Sequence, residues 1–220
     1  MNLIPYHLAL PDVAGRLVVD VGTNEGAGAA LFATRAREVC GLDRSESGIA
    51  AARARHAASN LTFLVHDASA PLPFPERSQG VVFSSEMIEH LPSGAPLMES
   101  AARVLEPGGV LLIKTPNDDY NRLENRLNPH HVNSYTARRL HSELARHFED
   151  VTVEGITYDV SVDAAPEDLR GEGGDPVLDP YRFGDAIRID RAVVVRMSVT
   201  PRRIRDLRSE VPEYLWARAS

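Results

Sequence analysis

Leu17-Val18-Val19-Asp20-Val21-Gly22-Thr23-Asn24-Glu25-Gly26 decides how this chain is read. A short β-branched run ends at an acid. A turn follows in which Gly22, Asn24 and Gly26 all tolerate left-handed backbone. Ala27-Gly28-Ala29-Ala30-Leu31-Phe32-Ala33 then reads as part of a helix over 26–36. A buried strand that turns sharply into a helix is how α/β folds hold a nucleotide-like ligand, because glycines admit the backbone close to it.

The same alternation continues along the chain. Glu38–Asp43 is expected as a second strand, and Ser45-Glu46-Ser47 caps a helix that runs to about Ala58. Leu61–Asp67 predicts a third strand and Gly80–Ser85 a fourth. A helix over 93–105 stops at Glu106-Pro107-Gly108-Gly109. Val110–Lys114 is the fifth strand, ended by Thr115-Pro116-Asn117, and 117–135 reads as a polar loop. Thr136–Phe148 is a helix with Leu140, Leu144 and Phe148 on one face. Val151–Tyr158 and Arg191–Val199 complete seven strands. The pattern predicts an α/β fold, a doubly wound and mostly parallel seven-stranded sheet. No helix separates the last two strands, so one antiparallel strand is expected near the C-terminus.

Residues 1–16 contain Pro5, Pro11 and Gly15 and read as a lead-in with little structure. Residues 161–190 carry eight acids against three arginines, too polar for a second core. They are expected as an acidic loop or lid inserted in a single domain over 1–220.

Composition narrows the function classes. The chain has 220 residues, 43% hydrophobic and 25% charged, ordinary values for a globular protein. No apolar run is long enough to span a bilayer. Met1-Asn2-Leu3-Ile4-Pro5 lacks the charged start and apolar stretch of a signal peptide, and Cys40 is alone, which together predict a cytoplasmic protein. The net charge of −7 argues against a large nucleic-acid footprint. Lys114 is the only lysine, the other basic residues being arginine, which reads as codon bias.

Three successive strands end in acids, Asp20, Asp43 and Asp67. In a parallel sheet their carboxyl ends line one edge, where ligands bind at the switch point. The spacing from Gly22 to Asp43 suits an acid that grips a ribose diol. Asp67-Ala68 would lie beside an adenine ring, and Asp20 is expected to orient the loop without touching the ligand. Any one of these acids alone would read as a helix cap or a solvated loop residue. A dinucleotide-binding dehydrogenase would place its third glycine three residues after the second, whereas Gly22, Asn24 and Gly26 are spaced by two.

Asp20-Val21-Gly22-Thr23-Asn24-Glu25-Gly26 resembles the first motif of class I S-adenosylmethionine (SAM)-dependent methyltransferases. Leu42-Asp43 is similar to their second-strand acid, His66-Asp67-Ala68 to their adenine-side motif, and Arg103–Leu111 to their helix-to-fifth-strand signature. The order is right over roughly the first 115 residues. The resemblance implies a Rossmann-like fold and SAM as cofactor, held by Asp20, Gly22, Asn24, Gly26, Asp43, Asp67, Ala68 and Ser85. The family usually has glycine where Asn24 stands, and Asn suits left-handed geometry next best. Glu25 could face the cationic methionine end of SAM or be a solvated acid. These enzymes usually carry N-terminal helices that close over SAM, so the 161–190 segment or a second subunit of a homo-oligomer is expected to supply the cover.

Glu86, Glu89 and His90 stand at i, i+3 and i+4, one face of a helical turn, and His130-His131 precedes Ser134-Tyr135-Thr136. Two carboxylates and an imidazole can hold a divalent cation such as Mg²⁺ or Mn²⁺, with His131 closing the set. The cluster resembles that of small-RNA 2′-O-methyltransferases and ubiquinone-biosynthesis O-methyltransferases, in which a metal would polarise the acceptor hydroxyl. Small-molecule and glycan methyltransferases carry similar residues without an established metal. There His90 caps or orients a loop, and His131 is a general base or a substrate contact. Tyr120 and Tyr135 are expected in the acceptor pocket or in ordinary packing.

The leading expectation is O-methylation of a small hydroxylated metabolite or a glycan, with His90 and His131 as the catalytic pair. A metal-dependent RNA 2′-O-methyltransferase and a non-catalytic SAM-fold partner subunit are the alternatives. The acidic balance opposes the first, and the short lead-in favours the second slightly.

Overall fold

The computed structural model describes residues 3–120, 128–162, 187–196 and 214–220. In chain order the elements are α1 (Ile4–Val13), β1 (Leu17–Val21), α2 (Ala27–Ala33), β2 (Glu38–Asp43), α3 (Glu46–Arg55), β3 (Leu61–Val65) and β4 (Gln79–Ser85). Then come α4 (Ala95–Val104), β5 (Leu105–Pro116), α5 (Ala137–Leu144), β6 (Val151–Val162), β7 (Ile187–Arg196) and β8 (Tyr214–Ala219).

One sheet of order β3-β2-β1-β4-β5-β8-β6-β7 runs through the molecule. The pairs β2–β3, β1–β2, β1–β4 and β4–β5 are parallel. The last two of the seven expected strands are β6 and β7, and the antiparallel pairing expected near the C-terminus is the one between them. The eighth strand, β8, is not among those expected from the sequence; it lies between β5 and β6 and pairs antiparallel with both. Glu106-Pro107-Gly108-Gly109 does not separate helix from strand. The ladder pairs Gln79 with Leu105, then shifts register to pair Val81 with Val110, so the four residues form an irregularity inside β5.

The two-residue period of the strands sorts the core into two layers. Val19, Val21, Val82, Leu111 and Ile113 face α4 and α5, joining Leu97, Met98, Ala101, Leu140 and Leu144. Val18, Val81, Phe83, Val110 and Leu112 face the other way, with Ala9 of α1, Ala29 and Phe32 of α2, and Ile49 and Ala52 of α3. This is the doubly wound arrangement.

The N-terminal segment corrects the expectation of an unstructured lead-in, because Ile4–Val13 is helical. Pro5 lies at the first helical positions, where a missing N–H leaves no bond unmade, and Pro11 falls in the last turn. Tyr6, Ala9 and Val13 are buried against the sheet, and this packing outweighs the weak local propensity.

The acidic segment expected over 161–190 enters β6 and β7 at its two ends, and 163–186 lies outside the described residues. Among the described residues no helix is long and apolar enough to cross a membrane.

The strand order reverses between β1 and β4, which opens a crevice at their carboxyl ends. The loop after β1 forms one wall, and the loop after β4 forms the other.

Candidate functional site

The first wall has the backbone its sequence demands. Gly22, Asn24 and Gly26 take φ of 83°, 50° and 81°, so asparagine does occupy the left-handed turn in place of glycine. The amides of Gly22 and Thr23 donate to the Leu42 carbonyl at 2.8 and 2.9 Å. Asp43 tightens the loop further. Its Oδ2 accepts from the Asn24 amide and its Oδ1 from the Ser45 amide, each at 2.9 Å. Each oxygen keeps a lone pair for the crevice, and Asp43 is only half-buried.

Asp67 is exposed beside buried Ala68, and its Oδ1 accepts from the Ser69 amide at 2.8 Å. That backbone bond and the Ser69 side chain hold its carboxyl below the usual range. Ser85 closes β4, half-buried, in register with Lys114. Glu25 is turned away into an ion pair with Arg55 of α3.

Asp20 is fully buried and orients the loop from behind. Its Oδ2 accepts from Thr23 Oγ1 at 2.7 Å, and Tyr6 of α1 donates to its Oδ1 at 3.3 Å. Burial pushes the Asp20 carboxyl up to about 7, against the pull of those two hydroxyls.

The second wall departs from the helical face expected of Glu86, Glu89 and His90. Glu86 has φ of 53°, so no helix can include it, and only Ile88–His90 forms a 3₁₀ turn. Its carboxylate pairs with the buried Lys114 ammonium. Glu86 is thereby separated from the cluster it was expected to join. Glu89 is buried, and its Oε2 accepts from Thr115 Oγ1 at 2.9 Å. Its Oε1 is buried and finds no hydrogen-bond partner among the described residues, and burial raises its carboxyl above the usual range.

His90 and His131 meet edge to face with ring centroids 5.1 Å apart. Glu89, His90 and His131 can each offer a ligand atom, all within 4.8 Å of one another. His90 Nδ1–H donates to the His130 carbonyl at 2.9 Å, which sets the tautomer and leaves Nε2 to accept a proton or a cation. Burial, then the charges of His90 and His130, holds His131 below the usual histidine range.

The segment that carries His131 is tied down by Asn133. The Asn133 amide donates to the Glu89 carbonyl at 3.1 Å, and Asn133 Nδ2 donates to the Tyr135 oxygen at 2.9 Å. Tyr135 is fully buried, its hydroxyl pushed up to about 12 by burial and by Glu143. Tyr120 is 52% exposed.

Thus Asp20, Gly22, Asn24, Gly26 and Asp43 form one wall, and Glu89, His90 and His131 the other. Two functional neighbours escape the sequence reading: Thr115, which it reads only as ending β5, and Tyr6. Neither belongs to a motif, and their partners become visible only once the sheet brings distant residues together.

A family model described as "Methyltransferase domain" matches residues 19–113. A ubiquinone biosynthesis O-methyltransferase of an Azoarcus species is 30% identical over 167 residues, which cover 66% of this chain and 70% of that protein. The chain belongs to the class I SAM-dependent methyltransferases. A probable SAM-dependent methyltransferase of Mycolicibacterium smegmatis is 40% identical over 133 residues, covering 58% of this chain and 49% of that protein. The chain therefore matches about half the length of that relative. Its fold is that of a putative methyltransferase of Bacillus halodurans, with a TM-score of 0.66, 18% identity, and coverage of 99% of this chain and 97% of that one. SAM is the family's cofactor, and the donor set fits it. A half-buried carboxylate with free lone pairs stands at the end of β2, beside a left-handed loop whose shape is fixed by its own amides, which donate to Leu42, Thr23 and Asp43.

Proposed function

We propose that this chain methylates a hydroxyl oxygen of a small metabolite or a glycan. The observation that carries the proposal is the meeting of Glu89, His90 and His131 across the β1–β4 crevice from the glycine loop. SAM, when bound, supplies an electrophilic methyl group on a sulfonium. Asp43 holds the ribose hydroxyls, and Asp67 accepts from the adenine amine. The protein's remaining tasks are to align the acceptor and remove its proton. His131 suits the second task, because burial, then the charges of His90 and His130, favours its neutral form. His90 presents Nε2 beside it, with its ring fixed by the His130 carbonyl. The relative named as an O-methyltransferase supports an oxygen acceptor.

The buried, unpartnered Glu89 Oε1 favours a second component, a divalent cation held by Glu89, His90 and His131. A cation there would supply Lewis-acid polarisation of the acceptor hydroxyl. Glu86 is not part of this set.

Transfer of radiolabelled methyl from SAM to a panel of hydroxylated metabolites and sugars tests the reading. Label in a base-stable methyl ether supports it, and label only in a base-labile methyl ester points to a carboxylate acceptor and overturns it. Label that appears only on amines, or no binding of S-adenosylhomocysteine (SAH) at all, overturns it.

A further inference from the structure

Tyr6 sits where no motif predicts a functional residue. It is 3% exposed, on a helix that precedes every SAM-family signature in the chain. Its ring lies 5.0 Å from Phe32 and 4.6 Å from Phe83, centroid to centroid. It lies so close to Gly28 that a Cβ there would come within 2.0 Å of Tyr6 Cε1. Gly28, in the helix after the loop, therefore makes the slot that admits the ring.

A phenylalanine would fill the same slot without burying a hydroxyl. The hydroxyl instead reaches the fully buried Asp20 carboxylate, donating at 3.3 Å to Oδ1 while Thr23 donates to Oδ2. Asp20 is thus held from α1 on one side and from the glycine loop on the other. The burial that pushes its carboxyl up to about 7 means that each lost donor raises the cost of keeping it charged.

We propose that Tyr6 is a positioning residue for the SAM site, its hydroxyl fixing Asp20 so that Thr23 and the left-handed turn at Gly22–Gly26 keep their ligand-ready shape. The proposal rests on the SAM-site reading above. It makes α1 part of the donor site, so that helix docking and cofactor binding stabilise each other.

Calorimetry with SAH on the full chain at about pH 8, above the titration of Asp20, tests it. Tyr6→Phe keeps the ring in its slot and is expected to weaken SAH binding about tenfold, the loss of one hydrogen bond to a charged group. The acceptor KM stays at the parent value, a split that a merely structural role would not produce. Asp20→Asn is expected to weaken SAH comparably, and adding Tyr6→Phe to it to cost less than about twofold more, because the partner is already gone. Hydrogen exchange on the parent gives a reading that needs no variant: SAH is expected to slow exchange at the Ala9 and Val13 amides together with those of Gly22–Gly26. Equal SAH affinity for parent and Tyr6→Phe, multiplicative effects of the two substitutions, or unchanged α1 exchange overturns the proposal. A parent that binds no SAH removes the SAM-site reading itself, a distinct result that takes this proposal with it.

Discussion

Met87 lies across Gly22, so that a Cβ built on Gly22 would stand 2.7 Å from Met87 Cγ. The two residues belong to the opposite walls of the crevice, one after β1 and one after β4. The donor loop and the loop that carries Glu89 and His90 are therefore in direct contact. Gly22→Ala meets two penalties. Its φ of 83° costs a residue with a side chain about 1–2 kcal/mol, and Met87 must move. The expected outcome is a loss of SAH affinity of tenfold or more by calorimetry, with a lower melting temperature. Adding Met87→Ala relieves the collision but not the backbone strain, so it should recover part of the affinity only. Full recovery would mean that φ at residue 22 does not matter.

The Asp43 carboxylate accepts from the Asn24 and Ser45 amides, and in the proposed SAM site the same group would take the ribose. Asp43→Ala frees both amides and removes the ribose acceptor, which should weaken SAH by at least tenfold. Asp43→Asn keeps one acceptor oxygen and should fall between variant and parent. If Asp43→Ala binds SAH as the parent does, the ribose lies elsewhere.

Much of the first wall was legible because it depends on local chemistry. Left-handed geometry needs glycine or asparagine, and Asn24 took the φ expected of it. The second wall was less legible because its periodicity was read as helical. Glu86 sits one left-handed residue before the 3₁₀ turn, and a single φ sign sends its carboxylate to Lys114. The lone lysine, which composition reduced to codon bias, is buried in that ion pair. α1 was missed for a related reason: Pro5 and Pro11 read as breakers, although one stands where helices tolerate it and tertiary burial of Tyr6, Ala9 and Val13 offsets the other. β8 carries no strong sequence signal and is recognised by its pairing with β5 and β6.

The cation component has its own measurement. If Glu89, His90 and His131 hold Mg²⁺ or Mn²⁺, a concentration one hundred times its dissociation constant should stabilise the fold by about 2.7 kcal/mol. The melting temperature should rise accordingly and fall back with EDTA. Glu89→Gln should abolish the rise, and Glu86→Gln should leave it, because Glu86 faces Lys114. A rise that survives Glu89→Gln would place any cation outside this cluster.

Asp20 predicts how stability follows pH. Its carboxyl is raised to about 7 in the fold from 3.8 when solvated. Between those values the folded chain keeps a proton that the unfolded chain has released, so its contribution is fully present below about pH 4. It is lost as pH rises through about 7 and is level above that. Asp20→Asn stays neutral throughout and lacks this slope. The variant should therefore gain on the parent from pH 5 to pH 8, by roughly 2–4 kcal/mol in urea unfolding. Its SAH affinity should remain weaker, because an amide offers the Thr23 and Tyr6 hydroxyls one acceptor atom where the carboxylate offers two. A stability difference that stays constant across that pH range would show that Asp20 is charged in the fold at ordinary acidity, and that the Thr23 and Tyr6 hydroxyls outweigh its burial.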